Sequence, residues 1–70
     1  MLFEKLGDTI KDRRKELGIT QAHLAELAGV STNTLYKIER GQANPSLHVL
    51  NKLTEVLGME LTIEVKKTNK

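Results

Sequence analysis

Apolar side chains recur every three or four residues along most of this chain, then every second residue near its end. The first rhythm belongs to helices with one face turned inward, the second to a strand. Leu6, Ile10, Arg14 and Leu17 share a stripe with Arg13 at its edge, which predicts a helix from residue 3 or 4 to 17, stopped by Gly18. Gly7 weakens the opening turns of that helix. Leu24, Leu27 and Ala28 are the inward positions of a second helix over residues 21–28, with Thr20 as N-cap and Gly29 as the left-handed residue that ends it. Ser31 caps a third helix, from 32 to about 40, with Leu35 and Ile38 inward and Gly41 as its stop. After a loop over 41–45, Ser46 caps a fourth helix whose Leu47, Leu50, Leu53 and Leu57 face the core and which ends at Gly58.

Beyond Gly58, Met59, Leu61, Ile63 and Val65 alternate with Glu60, Thr62, Glu64 and Lys66, so residues 59–67 are predicted as a strand followed by a polar tail over 68–70. A lone strand leaves its backbone N–H and C=O groups without partners. No other segment reads as a strand, so the expected partner is the same strand of a second copy, antiparallel across a twofold axis. The competing expectation is a disordered or short helical tail. Charge selects the register of such a pair. Centring on Ile63 sets Glu60 opposite Lys66 and Leu61 opposite Val65, whereas centring on Thr62 sets Glu60 opposite Glu64. The expected dimer contacts are therefore Met59, Leu61, Ile63 and Val65, lying over Val49 and Val56 of the fourth helix.

The second and third helices, joined at Gly29 with the small residue Ala25 where their axes would cross, have the spacing of a helix-turn-helix. That motif carries the start of its second helix into a DNA major groove. The solvent-facing residues there are Thr32, Asn33, Tyr36 and Lys37, with Ser31 at the cap. Asn can pair bidentately with adenine, Lys can donate to guanine, and Thr can bond a base or pack on a thymine methyl. Tyr36 and Lys37 fit phosphate contact or simple exposure equally well. Thr20 and Gln21 stand at a helix N-terminus whose free N–H groups suit a phosphate, and Arg40, Gln42 and Asn44 complete the clamp on the other side.

These residues carry a resemblance. The stretch RRKELGITQAHLAELAGVSTNTLYKIERGQANPSLHVLNKLTEVLG, and within it LGITQ, LAELAGVS, IERG and PSL, resembles the XRE-type, lambda-repressor-like helix-turn-helix family. The following LGMELTIEVKK resembles the HipB-type antitoxin-repressor branch, in which a strand replaces a fifth helix. The resemblance implies a mostly α, four-helix lambda-repressor-like DNA-binding domain over residues 1–58, with the strand pairing across a dimer. It implies that Thr32, Asn33 and Lys37 reach base edges, and that Gln21 both touches phosphate and braces the recognition helix. Arg14 and Glu39 are implied as a partly buried ion pair between the first and third helices; two surface charges are the plainer alternative. For function it implies a homodimeric repressor on a double-stranded palindromic operator, autoregulating its own operon. The alternative is an antitoxin whose main task is neutralising a HipA-like toxin kinase.

Composition narrows the rest. At 70 residues the chain is one domain with a small core, and with no Cys it has neither disulfides nor thiolate metal sites, so oligomerisation is the expected source of extra stability. One Phe, one Tyr and no Trp leave the core to Leu, Ile, Val and Ala. A net charge of +2 hints only mildly at nucleic acid. Lys11, Arg13, Arg14 and Lys15 form a basic block, but Asp8, Asp12 and Glu16 interleave with it as on a solvated face. No segment approaches membrane-spanning length and MLFEKLGDTIK has no signal-peptide core, so a cytoplasmic location and no membrane partner are expected. His23 and His48 stand apart without a companion Cys, and Asp8 and Asp12 sit among cations. No catalytic residue, metal or cofactor is expected.

Overall fold

Hydroxyl side chains open the second, third and fourth helices. In the computed structural model, which describes residues 2–63, the chain forms α1 (Leu2–Glu16), α2 (Gln21–Ala28), α3 (Thr32–Glu39) and α4 (Leu47–Leu57). Thr20 Oγ1 accepts the His23 N–H at 3.0 Å, Ser31 Oγ the Thr34 N–H at 3.0 Å and Ser46 Oγ the Val49 N–H at 3.1 Å. Each bond satisfies one of the N–H groups that a helix start leaves without an acceptor. At the other end of α2, Gly29 adopts φ 72°, and the Val30 N–H turns back to the Ala25 carbonyl at 2.9 Å. A residue with Cβ would be strained there.

The inward faces of the helices meet in one core of Ile10, Leu24, Ala25, Ala28, Leu35, Ile38, Leu50, Leu53 and Leu57. Helix α1 packs on α3 and α4, and α2 packs on the same two helices from another side. Three leucines expected on inward faces are outside it. Leu27 is 55% exposed because Leu24, Ala25 and Ala28 define the buried arc of α2, and Leu27 lies on the side of Leu24 away from Ala25. Leu47 is 71% exposed: it shares a stripe with Leu50 and Thr54, but it is the first residue of α4, and the stripe becomes buried only one turn later. Leu17, beyond the last residue of α1, is also exposed.

Helix α1 starts one residue earlier than the earliest expected position, despite Gly7. The structure gives this glycine a task. A Cβ at Gly7 would clash with the Ile38 carbonyl oxygen and lie 2.9 Å from that of Glu39. Its absence lets α1 rest directly on the backbone at the end of α3.

The strand expected over 59–67 is not formed over 59–63, and no strand exists among the described residues. The physical reason is that a single chain offers these residues no second strand to pair with. Residues 64–67, Val65 among them, and the expected polar tail over 68–70 lie outside the described residues. Of the residues expected at a dimer contact, Val49, Val56 and Met59 lean against the core with part of their surface exposed, so they are not simply left over from it. Leu61 is 40% and Ile63 96% exposed.

Candidate nucleic-acid interface

Helix α3 has two unlike sides. Leu35, Ile38 and Glu39 are buried, and Thr32, Asn33, Tyr36 and Lys37 are exposed. At helical spacing the exposed residues form two adjacent rows, Thr32–Tyr36–Arg40 and Asn33–Lys37. Arg40, the C-cap, places its guanidinium carbon 5.3 Å from the centre of the Tyr36 ring. Ser31 is exposed at the start of the helix, but its hydroxyl is engaged. It accepts the Thr34 N–H and donates to Thr34 Oγ1 at 2.7 Å, which leaves one acceptor site for anything else.

A buried polar network fixes this helix to the others. Arg14 of α1 donates to both carboxylate oxygens of Glu39, from Nε at 2.7 Å and Nη2 at 3.0 Å, and from Nη1 to the Ile19 carbonyl at 2.8 Å. Gln21, the first residue of α2, donates its side-chain N–H to Glu39 Oε1 at 2.9 Å. The Glu39 side chain is 1% exposed. Its hydrogen bond raises the Arg14 pKa, burial opposes that, and the charge of Glu39 adds to the rise, so Arg14 stays cationic. Among the described residues no buried side-chain N or O atom lacks a partner. The end of α1, the start of α2 and the end of α3 therefore meet on one carboxylate, and the bidentate fork of the arginine fixes the orientation of Arg14 against Glu39.

Of the residues expected to contact phosphate, Gln21 bonds that junction, and Thr20 and Arg40 are its neighbours along the chain. Thr20 and Gln21 are at the start of α2, Gln21 half-buried with one amide N–H given to Glu39. Arg40 follows Glu39 directly. Gln42 and Asn44 are exposed in the loop after α3, where the Gln42 N–H closes the helix by bonding the Lys37 carbonyl at 2.9 Å. Beside Arg40 runs a shallow polar groove lined also by Glu4, Asp8, Lys11 and Glu39.

Sequence patterning missed one contact that shapes the domain. Arg13, placed in the basic block, donates from Nε to the Leu57 carbonyl at 2.9 Å and so satisfies one of the free carbonyls at the end of α4. A cation near a C-terminal helical turn was the only available signal, and the two residues are 44 positions apart in sequence. Among the described residues no group of three His, Cys, Asp or Glu could hold a metal ion, and no helix is long and apolar enough to cross a membrane.

Known proteins share this arrangement. A family model described as helix-turn-helix matches residues 10–63. An uncharacterised HTH-type transcriptional regulator of Methanothermobacter thermautotrophicus is 43% identical over 51 residues, which cover 73% of this chain and 74% of the relative. In a regulatory protein of Methanocaldococcus jannaschii, 44% identical over 55 residues, the match spans 79% of this chain but only 17% of the relative. Among solved structures, the restriction-modification controller protein C.AhdI of Aeromonas hydrophila superposes with a TM-score of 0.80 at 34% identity, covering 83% of this chain and 88% of that one. The clp gene regulator ClgR of C. glutamicum gives 0.83 at 33% identity, covering 87% of this chain and 78% of its own. With the family model spanning most of its length and a two-faced α3 held by the Glu39 junction, this chain belongs to the helix-turn-helix family in its XRE form, a family of DNA-binding transcription regulators.

Proposed function

We propose that this protein is a sequence-specific transcriptional repressor that binds a palindromic operator as a homodimer. The observation that carries this is the exposed polar side of α3, backed by Leu35, Ile38 and the buried bridge. Asn33 and Lys37 form one row, suited to adenine and guanine edges, and Thr32 begins the other. Backbone N–H groups at the start of α2, with the Gln21 amide, Thr20, Arg40, Gln42 and Asn44, hold phosphates on either side. The XRE resemblance extends the role to autoregulation of the protein's own promoter. An antitoxin role has only the resemblance of LGMELTIEVKK behind it, and the matched relatives are named as transcriptional regulators.

The test is footprinting on an operator selected from random DNA, combined with binding across a salt series. A twofold dimer should protect two half-sites whose centres lie about 10 bp, or a multiple, apart. With about six phosphates contacted, log affinity should fall against log salt with a slope near −5. A single asymmetric half-site, or binding indifferent to salt, would contradict the proposal.

The dimer is proposed to form through the residues after α4, centred on Ile63, with Leu61 and Val65 facing each other and Val49, Val56 and Met59 beneath. Ile63 is 96% exposed in the single chain, so Ile63→Asp should leave the helices intact. The expected outcome is a monomer in analytical ultracentrifugation, unchanged helical circular dichroism and loss of operator binding. A variant that sediments as a dimer would refute the contact. One that is monomeric yet binds as tightly as wild type would refute its role in function.

A further inference from the structure

We infer that Tyr36 is a positioning residue: its ring, and not its hydroxyl, holds the Arg40 guanidinium on the DNA-facing side of α3, where Arg40 takes a phosphate. This rests on the operator-binding role proposed above and assigns Tyr36 a different part in it from reading a base.

Tyr36 and Arg40 are four residues apart, so their side chains meet on one row of the helix. The guanidinium carbon stands 5.3 Å from the ring centre, within the range of cation–π attraction. Tyr36 is 44% exposed, so its ring is a partly dry platform with an open edge. Arg40 needs such a platform because it has competing neighbours. It also lines the groove that holds Glu4, Asp8 and Glu39, and carboxylates draw a guanidinium toward themselves. Glu39 is already occupied by Arg14 and Gln21, but Asp8 is on an exposed position of α1 beside the same groove. The Tyr36 ring competes with those carboxylates for the cation and keeps it at the Tyr36 side of the groove that it lines. A guanidinium stacked on a ring keeps its in-plane N–H groups free, so a phosphate can be bound while the stack persists.

Four variants, Tyr36→Phe, Tyr36→Leu, Arg40→Gln and the Tyr36→Leu/Arg40→Gln double, are compared with wild type for affinity across a salt series and for the motif selected from random DNA. Tyr36→Phe should bind within about twofold of wild type with the same salt slope and motif, since the ring remains. Tyr36→Leu and Arg40→Gln should each weaken binding about fivefold on all sequences and each flatten the salt slope by about 1.8, the loss of one phosphate in each half-site of the dimer. The double variant should be no weaker than Arg40→Gln alone. A merely structural role for Tyr36 would leave the slope unchanged. The inference is overturned if Tyr36→Phe changes the motif or weakens binding as much as Tyr36→Leu, if Tyr36→Leu keeps the wild-type slope, or if the two losses add in the double variant. If wild type itself binds DNA without salt dependence, the operator role fails first, and that result is read before any variant.

Discussion

Arg14→Leu should cost about 3–5 kcal/mol of folding stability, because it strands the Glu39 carboxylate, 1% exposed, without its cation. A domain of this size has roughly 4–10 kcal/mol in total, so much of the protein should be unfolded at modest temperature. The loss would appear as a fall in Tm of roughly 4–8 °C per kcal/mol in melts followed by circular dichroism at fixed protein concentration. The cause is the uncompensated charge and not the worth of the pair itself, which has to offset the desolvation of both groups. Arg14→Leu combined with Glu39→Leu should therefore be more stable than Arg14→Leu alone, even though it lacks every hydrogen bond of the bridge. A loss below about 1 kcal/mol for Arg14→Leu would mean that water reaches the pair and that it behaves as a surface contact.

Gly7→Ala sets two effects of opposite sign against each other. Alanine in place of glycine inside a helix favours folding by about 1 kcal/mol. Here the new methyl group would meet the carbonyl oxygens of Ile38 and Glu39, which belong to backbone and cannot rotate aside. Helix α1 would have to lift away, loosening Ile10 in the core and stretching the Arg14–Glu39 bonds. Overpacking of this kind costs about 1–3 kcal/mol, and a backbone obstacle puts Gly7→Ala at the upper end, so the net effect should be destabilising. Urea unfolding gives the sign directly. A midpoint higher than wild type would show that α1 and α3 do not touch at Gly7.

The starts and ends of α2 and α4 were legible in the sequence because each carries its own punctuation. Thr20 and Ser46 cap them and Gly29 and Gly58 end them in the left-handed conformation, all within a few residues. Helical spacing likewise separated Leu35 and Ile38 from Asn33 and Lys37, which is enough to find the exposed side of α3. What spacing could not supply was the choice between neighbours on one arc. Ala25, the small residue at the helix crossing, is buried, but Leu27, which the spacing puts inward with Leu24 and Ala28, is exposed, because the covered arc of α2 turns toward Ala25 and leaves the opposite side of Leu24 to solvent. Gly7 reads as a weakness because the carbonyl groups it accommodates are more than 30 positions away. The Arg13–Leu57 bond and the engagement of the Ser31 hydroxyl by Thr34 both depend on rotamers, which residue type alone does not determine. The alternation after Gly58 has a second copy of the chain as its proposed partner, and a single chain leaves its described part unpaired.

In the proposed complex α3 reads bases with Asn33 while the start of α2 holds the backbone. Selection of bound sequences from a random pool, run side by side with wild type, Asn33→Ala and Gln21→Ala, separates the two roles. Wild type should enrich a palindrome. Asn33→Ala should lose preference at one base pair in each half-site, with about 1–3 kcal/mol less discrimination there, and keep the rest of the motif. Gln21→Ala should bind every sequence more weakly and return the wild-type motif. Identical motifs from wild type and Asn33→Ala would show that the exposed side of α3 does not read DNA in the way proposed.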